Sequence, residues 1–277
     1  MALSVVDLYQ KILPKTNCRE CGYPSCLAFA GMVVSEQLSL DNCPHIARDV
    51  LEKAQAELNE QYAAGKWTKR DLAADALVWA KERAAAMDIE ALPDRIGGAV
   101  KKDDKGKYLE LPYFNDYIII RPEKIQKKDG SALNRWEQVF ILNHMAQGGS
   151  APPTGTWKGL EAIPNTISKM KSMKAHVEVP LLNRFAGHPD ELKKAALAIG
   201  GEDCLAEFPT ADVAVRFTPL PRLPVMLLFW DADPDDGFGA EIKLLFDETI
   251  SEHLDVESIM FLSERIRQLL RGDMTFL

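Results

Sequence analysis

The stretch Leu13-Pro14-Lys15-Thr16-Asn17-Cys18-Arg19-Glu20-Cys21-Gly22-Tyr23-Pro24-Ser25-Cys26, completed by Cys43-Pro44, decides how the first part of the chain folds. It holds four of the five cysteines, spaced C-x2-C-x4-C-x16-C. The short spacers gather three thiols into one loop, and Gly22, Pro24 and Ser25 are small or turn-forming residues that permit the wrapping. Leu27 to Leu40 is helical in composition, so a helix is expected to carry the chain away from Cys26 and return it at Cys43. This is a metal-site pattern.

The whole chain supplies the setting. It has 277 residues, 47% hydrophobic and 27% charged, which is ordinary for a soluble globular protein and enough to bury a substantial core. Its formal net charge is −8 and its basic residues are scattered, so no nucleic-acid partner is expected. The first residues lack a basic and apolar leader, and no segment approaches the roughly 18 apolar residues of a membrane span. A cytoplasmic protein is therefore expected. In a reducing compartment clustered cysteines are ligands or redox groups more often than structural disulfides. Cys204, alone in Gly-Gly-Glu-Asp-Cys-Leu-Ala-Glu-Phe, reads as a buried thiol packed as a small hydrophobe.

An iron–sulfur cubane needs four thiolates at its corners, and three close cysteines plus a remote one satisfy that need. Pro44 directly after the last cysteine is a feature shared with bacterial cluster motifs. Zinc is also served by four cysteines, but its sites commonly use two separated two-ligand knuckles, so the crowding of three ligands favours one [4Fe-4S] cluster. His45 reads as a neighbour of the site rather than a ligand.

The rest of the chain mixes helices and antiparallel strands without βαβ regularity, which indicates an α+β class. Ser4 to Leu13 reads as a short capped helix stopped by Pro14, and His45 to Ala63 and Thr68 to about Met87 as longer ones. Gly97 to Lys101, Tyr108 to Leu111 and Tyr117 to Arg121 read as an antiparallel meander, with Pro112 as a break. Helices follow at Leu133 to Ala146, from Pro164, and at Pro189 to Ile199, the last with Pro at its start and Gly200-Gly201 after it. Ala211 to Phe217, Val225 to Trp230 and Ala240 to Phe246 read as strands, the second buried on both faces, and Leu254 to Leu270 as an amphipathic closing helix. The expected organisation is a helical [4Fe-4S] cluster domain over residues 1–65, a helical connector over 66–94, and a mainly antiparallel α+β domain over 95–277.

Other polar features are weaker. Asp231, Asp233, Asp235 and Asp236 follow a buried strand but lack the spacing of a calcium loop, and a solvated acidic turn is the commoner arrangement. Loops at strand ends often line ligand sites, which makes Trp157, Trp230 and Asp231 a candidate pocket. Gly148-Gly149 to Gly155 lacks the lysine ending of a P-loop and reads as a connector or lid. The scattered histidines and serines suggest no nucleophile, and no acid–base set is evident.

Leu13 to Ala30 together with Asn42-Cys-Pro resembles the N-terminal [4Fe-4S] domain of the corrinoid iron–sulfur protein large subunit and a similar domain in the B subunit of Rnf electron-transport complexes. The resemblance covers about residues 8 to 46. It implies Cys18, Cys21, Cys26 and Cys43 as cluster ligands, and low-potential electron transfer in an anaerobe. From about Tyr108 onward the chain instead resembles an uncharacterised domain family of anaerobic bacteria and archaea. Gly155-Thr-Trp-Lys-Gly-Leu-Glu, Pro221-Arg-Leu-Pro-Val, Phe229-Trp-Asp-Ala-Asp and Leu245-Phe-Asp-Glu-Thr carry that likeness, which brings no chemistry with it. The expected function is electron transfer to a redox partner, such as a corrinoid or one-carbon enzyme. A redox-sensing or structural cluster on a small-molecule or protein-binding module is the rival.

Overall fold

The computed structural model describes residues 3–66, 72–85, 87–122, 124–233 and 237–272. Thr68, Asp235 and Asp236, which the sequence reading used, lie outside them. The chain forms two compact units, Met1–Leu72 and Ala73–Leu277. Among the described residues no helix is long and apolar enough to cross a membrane.

The described elements of the first unit are all helical. Ser4 caps the turn Val5–Asp7 in a reciprocal capping box with Asp7, and the chain continues as a π-helical turn, Leu8–Ile12. Helix α1, Cys26–Glu36, starts where the Ser25 side chain accepts the Ala28 N–H and stops where Gln37 turns left-handed. Helix α2, Arg48–Ala63, packs beside it, with the Tyr62 hydroxyl donating to the Val33 carbonyl at 2.6 Å. Leu8, Leu13, Phe29, Val33, Leu40 and Leu58 form the core of this unit.

The second unit combines helices with two antiparallel sheets. Helix α3, Leu72–Ala84, opens it, and Ala80, Ala84, Leu92 and Ile96 are buried in its core. The first sheet is a meander of β1 (Ala99–Asp103), β2 (Gly106–Tyr113), β3 (Asp116–Arg121) and β4 (Lys124–Lys127). Strand β2 runs through Pro112 instead of breaking there. Its pairing with β1 ends at Ala99↔Glu110, so beyond that point only β3 lies beside it, and a missing N–H on the other side costs no ladder bond.

The second sheet joins β5 (Trp157–Gly159), β6 (Glu202–Asp203), β7 (Val213–Phe217), β8 (Val225–Trp230) and β9 (Glu241–Asp247) in the order β5-β9-β8-β7-β6. Val215, Leu227, Phe229, Ile242 and Phe246 turn one face into the main core, while Ala214, Met226 and Leu228 bury the other with Cys204. Strand β8 is accordingly apolar throughout. Helices α4 (Arg135–Gln147), α5 (Pro189–Ala198) and α6 (Val256–Arg271) complete the unit, with Trp136 of α4 stacked on Phe261 of α6 at 4.4 Å between ring centroids.

Helix α6 buries more polarity than its amphipathic pattern suggests. Arg265 lies 2.7 Å from Glu137 of α4, both at most 5% exposed, and the contact is an ion pair rather than an aligned hydrogen bond. The Tyr113 hydroxyl donates to the same Glu137 oxygen at 2.7 Å, while the other oxygen closes the capping box at Asn134. Burial, reinforced by the Glu137 charge, pushes Tyr113 well above the usual phenol range. Removing one partner of a buried pair strands the other charge. Arg265→Met is expected to cost about 3–5 kcal/mol of stability, measured by urea unfolding, whereas the double variant with Glu137→Leu recovers a substantial part of that loss.

His144 and His253 are fully buried, with ring centroids 5.4 Å apart. Burial, together with the nearby His253, Arg95 and Arg222, lowers His144 to about 3. The unfolded chain therefore takes up a proton near pH 6.5 that the folded one refuses, so stability is intact above that value and is lost as pH falls toward about 3. His144→Gln is expected to flatten this acid limb in unfolding curves measured across that range.

Candidate metal centre

The site begins with the backbone before the first cysteine. Lys15, Asn17 and Arg19 take left-handed conformations at φ 62°, 50° and 67°, and Gly22 follows at φ 85°. Asparagine tolerates this region better than most residues, and glycine enters it freely. Left-handed residues interspersed along a loop are what backbone anion-binding concavities are built from. The Asn17 side chain then ties the loop shut: its Oδ1 accepts the Cys26 N–H at 2.8 Å, at the first turn of α1.

Helix α1 leads from Cys26 toward Gln37, and a 3₁₀ turn, Leu40–Asn42, delivers Cys43 with its N–H donating to the Leu40 carbonyl. That turn is held by α2, since Gln55 accepts the Leu40 N–H at 2.9 Å. Cys26 and Cys43 are buried at 7% and 5%, Cys21 is half-buried and Cys18 is exposed, so the thiols grade from core to solvent.

The thiols also feel one another. Burial raises the Cys43 pKa and the nearby Cys21, Cys26 and Cys18 raise it further, while the His45 N–H donated to its sulfur works the other way. The Cys43 thiol therefore resists ionising on its own, and a cation that holds it as a thiolate removes that penalty. The donor set of four soft sulfurs, with a backbone N–H already on one of them, fits an iron–sulfur or other thiophilic metal group. Beside it an exposed Glu20 oxygen and a His45 nitrogen lie 3.1 Å apart, and Cys18 Sγ lies within 4.8 Å of both.

Trp157 and Trp230 both pack against the small Cys204 cluster, at its two ends. Trp157 pairs with Asp247 and Trp230 with Glu241, which puts them at opposite ends of β9, about 20 Å apart at the rise of a strand. Asp231 is engaged in structure: its carboxylate accepts the N–H groups of Gly187 and Ala232. Cys204 is 3% exposed, and burial raises its pKa. The Gly148 to Gly155 segment is fastened by protein groups, with His253 on the Ala151 carbonyl and Asp247 accepting the Gly155 N–H at 2.7 Å. The sequence reading missed Asn17, whose role depends on a left-handed conformation that composition does not signal.

The fold and site define a class, a cysteine-rich helical module followed by an α+β domain. Residues 88–268 match the family described as "Domain of unknown function (DUF3786)", more than half of the chain, and the protein belongs to that family. Residues 13–45 match the family described as "Putative Fe-S cluster". The chain is 43% identical over 58 residues to the acetyl-CoA decarbonylase/synthase complex subunit gamma of Methanocaldococcus jannaschii, covering 21% of this chain and 12% of that protein. It is 48% identical over 59 residues to the corrinoid/iron-sulfur protein large subunit of Moorella thermoacetica, covering 20% and 13% respectively. The chain thus spans about an eighth of the length of these curated relatives. No solved structure matches it.

Loss of the Asn17 tie is expected to loosen the loop before any other part of the unit. In the reduced, metal-free protein Asn17→Ala should speed labelling of Cys26 by a thiol reagent roughly fivefold, the equivalent of about 1 kcal/mol for one hydrogen bond. Asn17→Asp keeps both the acceptor and the tolerance of left-handed backbone, and should label near the parent rate.

Proposed function

We propose that Cys18, Cys21, Cys26 and Cys43 hold one [4Fe-4S] cluster and that the protein passes single electrons at low potential to a redox partner. The observation that carries this reading is the grouping of the four thiols, with the Cys43 sulfur influenced by the other three. The match of residues 13–45 to an iron–sulfur family supports it independently. When bound, such a cluster takes up and releases one electron at a time.

The chain's own residues arrange this exchange. Cys26 and Cys43 anchor the core side, where low water access shields a bound cluster from solvent. Cys18 and the Glu20–His45 pair face solvent, giving a partner protein a short approach to the site. Left-handed residues in the 15–22 loop shape its backbone as a concavity suited to an anionic thiolate group. The two relatives are by name a corrinoid/iron-sulfur subunit and an acetyl-CoA decarbonylase/synthase subunit, which favours a partner in anaerobic one-carbon or corrinoid chemistry.

Protein purified without oxygen is expected to carry about four iron and four sulfide per chain. Cys204→Ser should retain them, while serine at Cys26 or Cys43 should lose most of them. One equivalent of zinc in place of iron would overturn the cubane. A redox titration separates the two roles: reversible one-electron cycling at low potential supports electron transfer, and a cluster that only breaks down on oxidation supports sensing or structure.

A further inference from the structure

A cavity of about 400 Å³ opens into the main core of the second unit and is lined, among the described residues, by that unit alone. The volume is within the range of small-molecule sites, roughly 300–1,000 Å³. Three elements supply its walls. The end of α3 contributes Ala84 and Ala85, α4 contributes Leu142 and Met145, and the first sheet contributes Ile120 and Ile125. Those two isoleucines pair across β3 and β4, so they share one face of the sheet, and Ile120 places that face in the core.

The gap has a cause in the sequence. Helix α3 presents alanine where α4 and the sheet present long side chains, and a methyl group does not reach across. Protein interiors are otherwise packed to the density of organic crystals, with few voids larger than a water molecule. Ala84, Ile120, Leu142 and Met145, each at most 8% exposed, therefore border a space that gives them no partner atoms on one side. An apolar occupant would supply those contacts.

Charge is kept away from the inner walls. Arg121 and Lys124 border the cavity but pair with each other on the opposite face of the sheet, where the Arg121 guanidinium lies 4.6 Å from the centre of the Tyr108 ring. Lys81 is exposed on α3, and such a side chain keeps its ammonium in water. No Asp or Glu lines the cavity among the described residues, and the amide of Gln138 already donates to the Leu133 carbonyl at 2.9 Å. An ion carried inside would lose its hydration without a partner to replace it. We propose that the cavity binds a neutral, apolar small molecule between the end of α3, Leu142 and Met145 of α4, and the Ile120–Ile125 face of the first sheet.

Calorimetric titration of the full chain at pH 7 with octanol, octanoate and octylammonium tests this, since the three share one apolar chain and differ in charge. Octanol should bind one to one, at least about tenfold tighter than either ion, equivalent to about 1.4 kcal/mol. Ala84→Phe, which puts a ring into the gap, should melt at or above the parent temperature and bind octanol at least about tenfold more weakly. Ala85→Trp, at an exposed lining position outside the core, should melt like the parent and show the same loss, so the result does not hang on how the core accepts the phenylalanine. No octanol binding up to its solubility, an ion binding as tightly as octanol, or undiminished binding by a folded Ala85→Trp variant would each overturn the proposal.

Discussion

The first unit depends on the closure between Asn17 and Cys26. A loop of nine residues carrying three cysteines has little apolar surface to hold it, and the described burial in that stretch is limited to Cys26 itself. One charge-free hydrogen bond from a left-handed asparagine therefore fixes where the loop meets α1. Ser25, capping the same helix end, sets the direction in which α1 leaves. The remote cysteine is then a consequence of helix length and of the Gln55 side chain on the Leu40 backbone, two features with no chemistry of their own.

The second unit solves a different problem, that of a sheet with two buried faces. Strand β8 lies inside its sheet and feeds apolar side chains to a large core on one side and to the smaller Cys204 cluster on the other. Helices α4 and α6 cover the core with polar residues facing inward, several of them matched across the helices: Glu137 with Arg265 and Tyr113, Asn143 with Ser258. Such matching defines a register between the two helices more sharply than apolar packing does, at little net gain in stability.

Local pattern made much of this readable. The capped helix starts at Ser4 and Ser25, the Pro189 helix, the meander of the first sheet and the doubly buried Val225 to Trp230 run are all stated by residues close in sequence. Features that depend on distant partners were hidden. Strand β5 is three residues long and exists because β9, far along the chain, pairs with it. The placing of Trp157 and Trp230 at the two ends of the Cys204 cluster follows from that same pairing. The buried polarity of α6 was hidden because Arg265 and Gln268 look solvent-facing until Glu137 is placed opposite.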